Sequence, residues 1–174
     1  MGNSNRRPSR KTDISVQIKW RSVGEFSNPY ASPELSHIVR SPVRAPRKPG
    51  LYRIIIPISP KGGRAIYIGE SSNVVGRLFG YSEDYSRRRK KSTESRVSAQ
   101  IRKSLAKGLS VAVDAATTGF ISIQGSSFPI NMSNLAQRRF AESAAVVAEA
   151  LNDKAEEVVM INHVSGEYFY LDPS

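Results

Sequence analysis

The chain has 174 residues, a length that suits one domain able to bury a core without disulfides. It contains no cysteine and two histidines, which excludes disulfides, thiolate metal sites and a histidine-rich zinc site. Twenty-six Lys and Arg against fifteen Asp and Glu give a formal net charge of +11. Such a surplus attracts polyanions, so nucleic acid is the expected partner, although a merely solubilising surface would have the same composition. No apolar run has the length of a membrane span and no signal peptide is visible, so we expect a soluble, cytoplasmic protein without a membrane partner.

The N-terminal part of the chain predicts peripheral structure. Residues 1–12 are basic and almost devoid of apolar side chains, which predicts a disordered tail. Residues 13–49 are expected to form an N-terminal arm. Within it, apolar and polar side chains alternate over 14–20, the period of a half-buried strand. The proline-rich stretch 24–49 predicts an irregular basic segment with room for a helical turn near 33–39.

The centre of the chain predicts a β-hairpin followed by two helices. The β-rich runs 51–58 and 65–68 flank a Gly-containing turn, the arrangement typical of a hairpin. Ser71 or Ser72 is then a candidate cap for a short helix. In 96–107, large apolar residues recur four positions apart, which predicts a second helix with one buried face.

The C-terminal half predicts a further mixture of strands and helix. Residues 120–123 have a strand pattern, and Asn134 can cap a long alanine-rich helix over 135–151. Short apolar runs at 158–161 and 168–171 are the last strand candidates. This order predicts an α/β (α+β) fold in which helices flank a small antiparallel central sheet.

Two tripeptides of the predicted hairpin carry the strongest functional signal. They are Gly50–Leu51–Tyr52 and Tyr67–Ile68–Gly69, and Tyr67 comes fifteen positions after Tyr52. Arg77 follows ten residues after the second tyrosine, and Glu142 lies in the alanine-rich helix. Together these features resemble the GIY-YIG nuclease superfamily over about residues 50–162. The chain looks most like the stand-alone type II restriction endonuclease branch, because no zinc finger or helix-turn-helix follows.

The resemblance implies a metal-dependent endonuclease that hydrolyses phosphodiester bonds of double-stranded DNA, with 50–174 as its catalytic domain. It implies Glu142 as the ligand of Mg²⁺ or Mn²⁺ and Arg77 as a planar fork that holds the phosphate. Tyr52 is implied as the general base or as the group that positions the attacking water, and Tyr67 as a second orienting group. As a base, Tyr52 would need its ordinary pKa of about 10 lowered by nearby cations.

Three positions leave alternatives open. Tyr81 stands where many members of the superfamily have a histidine, and it can serve either the site or the packing. The asparagine of the site is expected to be Asn162; Asn152 is the alternative, although it could simply cap the helix. Glu149 is an alternative metal ligand two turns after Glu142, and we expect it to lie further out from the hairpin.

Basic residues near the predicted site are candidates for DNA binding. They are Lys61, Arg64, Arg87, Arg88, Arg89, Lys90 and Lys91. Phosphate contacts would give affinity and register but no sequence selection, so base contacts are assigned to 24–49 and 108–131. A mobile solvated loop is the other interpretation of the basic run.

The expected partners follow from the restriction-enzyme interpretation. A homodimer would cut both strands, and a cognate methyltransferase is a candidate partner. Two alternative functions remain. One is a phage or mobile-element DNA nuclease of looser specificity, and the other is a non-catalytic basic nucleic-acid-binding protein whose tyrosines only pack the core.

Overall fold

The computed structural model of the protein describes residues 12–28, 40–41, 44–60, 62–82, 93–152 and 158–161. The strands in these ranges are β1 (Ile14–Ile18), β2 (Arg21–Phe26), β3 (Gly50–Ser59), β4 (Gly62–Ser71), β5 (Val111–Ala116), β6 (Gly119–Ile123), β7 (Ser126–Pro129) and β8 (Val158–Met160). The helices are α1 (Val74–Ser82), α2 (Thr93–Leu105) and α3 (Leu135–Asn152). Residues 1–11 of the tail predicted over 1–12, the helical turn near 33–39 and the strand at 168–171 lie outside the described residues. None of the helices in the described ranges is long and apolar enough to span a bilayer.

A five-stranded sheet in the order β2-β5-β3-β4-β8 forms the centre of the fold. Its neighbouring strands are antiparallel except β4 and β8, which are parallel. The predicted hairpin is confirmed: β3 and β4 pair from Gly50 opposite Ser71 to Ser59 opposite Gly62, further than the apolar runs indicated. A second, antiparallel sheet has the order β1-β6-β7. The predicted mixed α/β class, with helices around a small antiparallel sheet, is confirmed.

Alternation along the hairpin divides the core into two layers, because successive side chains of a strand point to opposite faces. Tyr52 and Tyr67 lie on the face that packs against apolar residues of α1 and α2. Ile66 and Ile68 lie on the other face, with apolar residues of α3 and β8. Leu51 joins α3 and the second sheet in a third cluster on this same side. The two predicted tyrosines and the helix that carries Glu142 therefore lie on opposite faces of the sheet.

The two longer helices pack as their sequences indicate, although α2 begins at Thr93 and ends at Leu105 rather than spanning the predicted 96–107. Val97, Ile101 and Leu105 form the buried face of α2. At the start of α3 the Gln137 N–H donates to Asn134 Oδ1 at 3.1 Å, which confirms the predicted cap.

The predicted cap of α1 is wrong, because Asn73 rather than Ser71 or Ser72 caps this helix. Asn73 Oδ1 accepts a hydrogen bond from the Gly76 N–H at 3.4 Å. Ser71 supports the cap instead: its Oγ accepts from the Asn73 N–H at 3.0 Å and donates to the Asn73 carbonyl at 2.9 Å. In a run of three polar residues, the side chain that reaches the helix N-terminus depends on where β4 ends.

Strands β2, β5 and β7 were not predicted. β2 lies in the expected N-terminal arm but forms an edge of the central sheet, where it pairs with β5 around a bulge at Gly24. β5 lies in the segment 108–131 that was assigned to base contacts. Its Val111, Val113 and Ala115 are buried instead, so this strand belongs to the core.

Arg53 connects three elements on the α3 side of the sheet. From β3, its guanidinium forms ion pairs with Asp114 of β5 at 2.7 Å and with Glu149 of α3 at 2.8 Å. It also lies 5.1 Å from the ring centroid of Trp20, within range of a cation–π contact. These contacts hold the C-terminal half of α3 against the central strands.

Candidate active site

Three tyrosines from separate elements form a buried cluster. Tyr52 of β3, Tyr67 of β4 and Tyr81 of α1 have ring centroids 6.0, 6.1 and 6.2 Å apart. Tyr52 is 0% exposed, Tyr81 1% and Tyr67 7%. Tyr81, the position at which the resemblance leads one to expect histidine, therefore lies beside both signature tyrosines.

Arg77 and two tyrosine hydroxyls form one hydrogen-bonded group. The hydroxyls of Tyr52 and Tyr81 are 2.9 Å apart, and Arg77 Nε donates to Tyr52 Oη at 3.2 Å. Arg77 also lies one helical turn before Tyr81, with its Cζ 5.7 Å from the centroid of that ring. Tyr81 therefore both packs in the core and bonds to the site, which are the two roles the sequence left open.

Burial keeps the two bonded phenols protonated at neutral pH. It raises the pKa of Tyr52 above its ordinary value of 10.0, and the charge of Arg77 lowers this pKa by less than burial raises it. Burial likewise raises the pKa of Tyr81. A general base at Tyr52 would need a lowered pKa. Arg77 does not produce one, because desolvation raises the pKa by more than the nearby positive charge lowers it.

The glycines of both tripeptides are explained by close approaches across the sheet. Gly69 lies opposite Tyr52, and a Cβ at Gly69 would overlap the Tyr52 hydroxyl. A Cβ at Gly50 would overlap the carbonyl oxygen of Ala116 on β5. Gly69 thus leaves the space that the Tyr52 hydroxyl occupies beside Arg77.

Glu142 approaches the cluster from the opposite face of the sheet. Burial and the nearby carboxylate of Glu70 raise the pKa of Glu142 from 4.5 to about 7, while Arg139, Arg77 and Arg138 lower it. The charge of Arg77 thus acts on Glu142, although the two residues come from different layers. Both residues act near the end of β4: Arg77 is bonded to Tyr52, which lies opposite Gly69, and the carboxylate of the next residue, Glu70, acts on Glu142.

The donor chemistry at this end of the sheet fits a hard divalent cation. No group of three or more His, Asp or Glu side chains among the described residues is placed to hold a metal. Mg²⁺, however, is often held by one or two carboxylates, with water and substrate phosphate completing its shell. A nearby cation would also offset the burial and repulsion that disfavour the charged form of Glu142. Glu142, with Glu70 beside it, is therefore the candidate donor set for Mg²⁺ or Mn²⁺.

The structure brings some predicted residues together and leaves others apart. Glu149 was expected further out from the hairpin, but its carboxylate instead contacts the hairpin through Arg53 at 2.8 Å. Arg64 lies six residues before Glu70 on β4, roughly 20 Å along the strand. Outside the described residues lie Asn162, Lys61, Arg87, Arg88, Arg89, Lys90, Lys91 and the side chain of Asn152.

Glu70 and Arg138 are site residues that sequence reasoning missed. Arg138 Nε donates to Glu70 Oε2 at 2.5 Å, and Arg138 is 5% exposed. Two signals could have found them: Glu70 directly follows Tyr67–Ile68–Gly69, and Arg138 precedes Glu142 by one helical turn.

Comparison of the chain with protein-family models, with curated proteins and with solved structures found no match.

We expect Gly69→Ala to destabilise the fold by about 1–3 kcal/mol, because the new methyl group must displace the Tyr52 hydroxyl in a packed core. Urea unfolding followed by circular dichroism measures the change. Gly80→Ala in α1 is the matched control, since a Cβ there meets nothing within 4 Å and alanine favours helix by about 1 kcal/mol. Equal free energies of unfolding for the two variants would contradict the close approach.

We also expect Glu142 to make stability depend on pH in the metal-free protein. Because its folded-state pKa is raised, the folded state binds the proton more tightly than the unfolded state. This contribution is complete below pH 4.5 and is lost as the pH rises to about 7. Glu142→Gln should therefore gain stability relative to the parent between these limits. Urea unfolding in chelator at a series of pH values measures it, and a constant difference between the two proteins would refute it.

Proposed function

We propose that the protein is a Mg²⁺- or Mn²⁺-dependent endonuclease that hydrolyses double-stranded DNA, a GIY-YIG nuclease most like the type II restriction enzymes. The observation that carries the proposal is the environment of Arg77. Its Nε is bonded to Tyr52 of the first tripeptide, and its charge acts on Glu142 of the late helix. Phosphodiester hydrolysis requires a positively charged side chain that binds phosphate and a carboxylate that binds metal, and both are proposed at this end of the sheet.

Arg77 is the residue proposed to contact the scissile phosphate. The hydrogen bond to Tyr52 and the contact with the Tyr81 ring fix its planar guanidinium before any substrate arrives. Such pre-organisation lowers the cost of placing positive charge where negative charge develops in the transition state.

Glu142 is the residue proposed to hold the cation, with Glu70 beside it. When bound, the cation polarises the phosphate and lowers the pKa of a coordinated water. Glu142 must be ionised to act as a ligand, so the ligand forms as the pH rises towards about 7. The nearby charge of Arg77 favours this ionised form.

The tyrosines are proposed to position Arg77 rather than to accept a proton. Tyr52 and Tyr81 are buried, and the pKa of each is raised, so neither is suited to act as a base. Tyr67 completes the cluster and supports the other two rings by edge and tilted contacts.

The remaining parts of the proposal follow from the type of enzyme. A net charge of +11 favours binding to DNA phosphates, with an affinity that falls as salt increases. A homodimer in the cytoplasm would cut both strands, and a cognate methyltransferase would protect the host DNA.

A second candidate function is favoured by one specific observation. Tyr52 and Tyr81 are so fully buried that core packing alone could account for them. The protein would then be a non-catalytic nucleic-acid-binding protein in which the basic residues carry the activity.

Cleavage of plasmid DNA with Mg²⁺ or Mn²⁺ distinguishes the two functions. We expect the parent to cut, and Glu142→Gln and Arg77→Lys each to lower kcat by about 100-fold or more, because each removes charge or geometry needed in the transition state. Glu149→Gln is the matched control on the same helix. Its kcat should stay within about threefold of that of the parent once circular dichroism establishes equal folding, because the Glu149 carboxylate pairs with Arg53.

Two outcomes would decide against catalysis. Plasmid that stays intact over a range of metals and salt concentrations, while a gel-shift assay detects binding, supports the second function. Equal cutting by Glu142→Gln and Glu149→Gln would remove Glu142 from the site.

A further inference from the structure

A part-buried ion pair between Arg138 and Glu70 joins α3 to the end of β4. Besides its bond to Glu70, the Arg138 guanidinium donates through Nη1 to the carbonyl of Met132 at 2.6 Å. One side chain thus connects the end of β4, the loop before α3, and α3 itself. Arg139 also approaches Glu70, at 3.9 Å, but it is 67% exposed.

This ion pair lies between the two halves of the candidate site. On one side, Glu70 directly follows Gly69, which lies against the hydroxyl of Tyr52. On the other side, Arg138 lies one helical turn before Glu142 and on the same side of α3. Movement of α3 relative to β4 would therefore change the separation of Glu142 from Arg77 and Tyr52.

The apolar side chains that α3 buries around Glu142 are small or branched. They are Ala141, Ala145 and Val146, and the two alanine methyl groups interlock weakly with a neighbouring surface. The close ion pairs of the helix are Arg138–Glu70 before Glu142 and Glu149–Arg53 after it. Of the two, the first is nearer to Glu142 along the helix.

We propose that Arg138 and Glu70 are positioning residues that hold the part of α3 that carries Glu142 against the end of β4 and thereby determine cation affinity and turnover. The effect on the cation rests on the proposed function, whereas the effect on the position of α3 does not. Lysine at 138 would keep the charge, but it lacks the planar fork that reaches both Glu70 and the Met132 carbonyl.

The first experiment compares Arg138→Gln with Arg139→Gln, which remove the same charge from adjacent residues. Mn²⁺ affinity is measured by electron paramagnetic resonance at about pH 8.5, where Glu142 is ionised in every variant. We expect Arg138→Gln to weaken Mn²⁺ binding and to lower kcat by about tenfold or more, with KM for DNA unchanged. For Arg139→Gln, the Mn²⁺ affinity and kcat should stay within about threefold of the parent values, because Arg139 is exposed and its charge is screened by solvent. Equal losses in both variants would indicate charge alone and overturn the proposal.

The second experiment measures position without any cleavage. Because the chain has no cysteine, Ser72→Cys and Ser143→Cys would carry the only two spin labels, one after β4 and one on α3. Pulsed resonance should give a narrow distance distribution in the parent and a broader or shifted one in Arg138→Gln, with partial recovery in Arg138→Lys. An unchanged distribution overturns the proposal.

Two further outcomes, a variant that does not fold and a parent that neither binds Mn²⁺ nor cuts DNA, also give a clear result. If Arg138→Gln does not fold, Glu70→Gln, which keeps the shape of the side chain, takes its place in the distance measurement with the same expected shift. It is left out of the Mn²⁺ measurement, because Glu70 is itself a candidate cation ligand. If the distribution changes while the parent neither binds Mn²⁺ nor cuts DNA, the proposed function fails and the positioning of α3 stands.

Discussion

The hydrogen bond from Arg77 to the Tyr52 hydroxyl is the interaction on which the candidate site depends. The Tyr52 hydroxyl that accepts it lies in the core, where a polar contact is strong and an unpaired polar group is costly, whereas the Arg77 side chain is only partly buried. The absence of a side chain at Gly69 leaves room for the hydroxyl, and Tyr81 supplies its second partner. The same burial raises the pKa of Tyr52, which is why its role becomes the orientation of Arg77 rather than proton transfer.

The site also depends on the layered fold, because its two charged groups come from opposite faces of the central sheet. α1 carries Arg77 on one face, and α3 carries Glu142 on the other. Both act near the end of β4, which runs to Ser71: Gly69 lies against Tyr52 on one face, and the charge of Glu70 acts on Glu142 on the other. At the end of a sheet, helices packed on its two faces can bring their side chains close together without opening the core between them.

Much of the fold could be predicted where its signals are local, and so could the convergence of Tyr52, Tyr67 and Arg77 beside the hairpin. The hairpin follows from apolar runs around a Gly-containing turn, and the buried face of α2 from the spacing of Val97, Ile101 and Leu105. The β2–β5 pairing could not be predicted, because a polar, Gly-containing strand is fixed only by partners distant in sequence. The pairing of Glu70 with Arg138, sixty-eight positions apart, was missed for the same reason. The raised pKa of Tyr52 depends on burial, which a tripeptide does not encode.

We propose that the end of β4 and the middle of α3 form one cation site next to Arg77. The most direct test is a Mn²⁺ titration followed by nuclear magnetic resonance, because this paramagnetic ion broadens the signals of nearby nuclei. We expect selective broadening of the amide signals of Gly69, Glu70 and Glu142, with Ser59 and Gly62 at the far end of the hairpin unaffected, and loss of the effect in Glu142→Gln. Broadening centred on Glu149, or an unchanged pattern in Glu142→Gln, would contradict it.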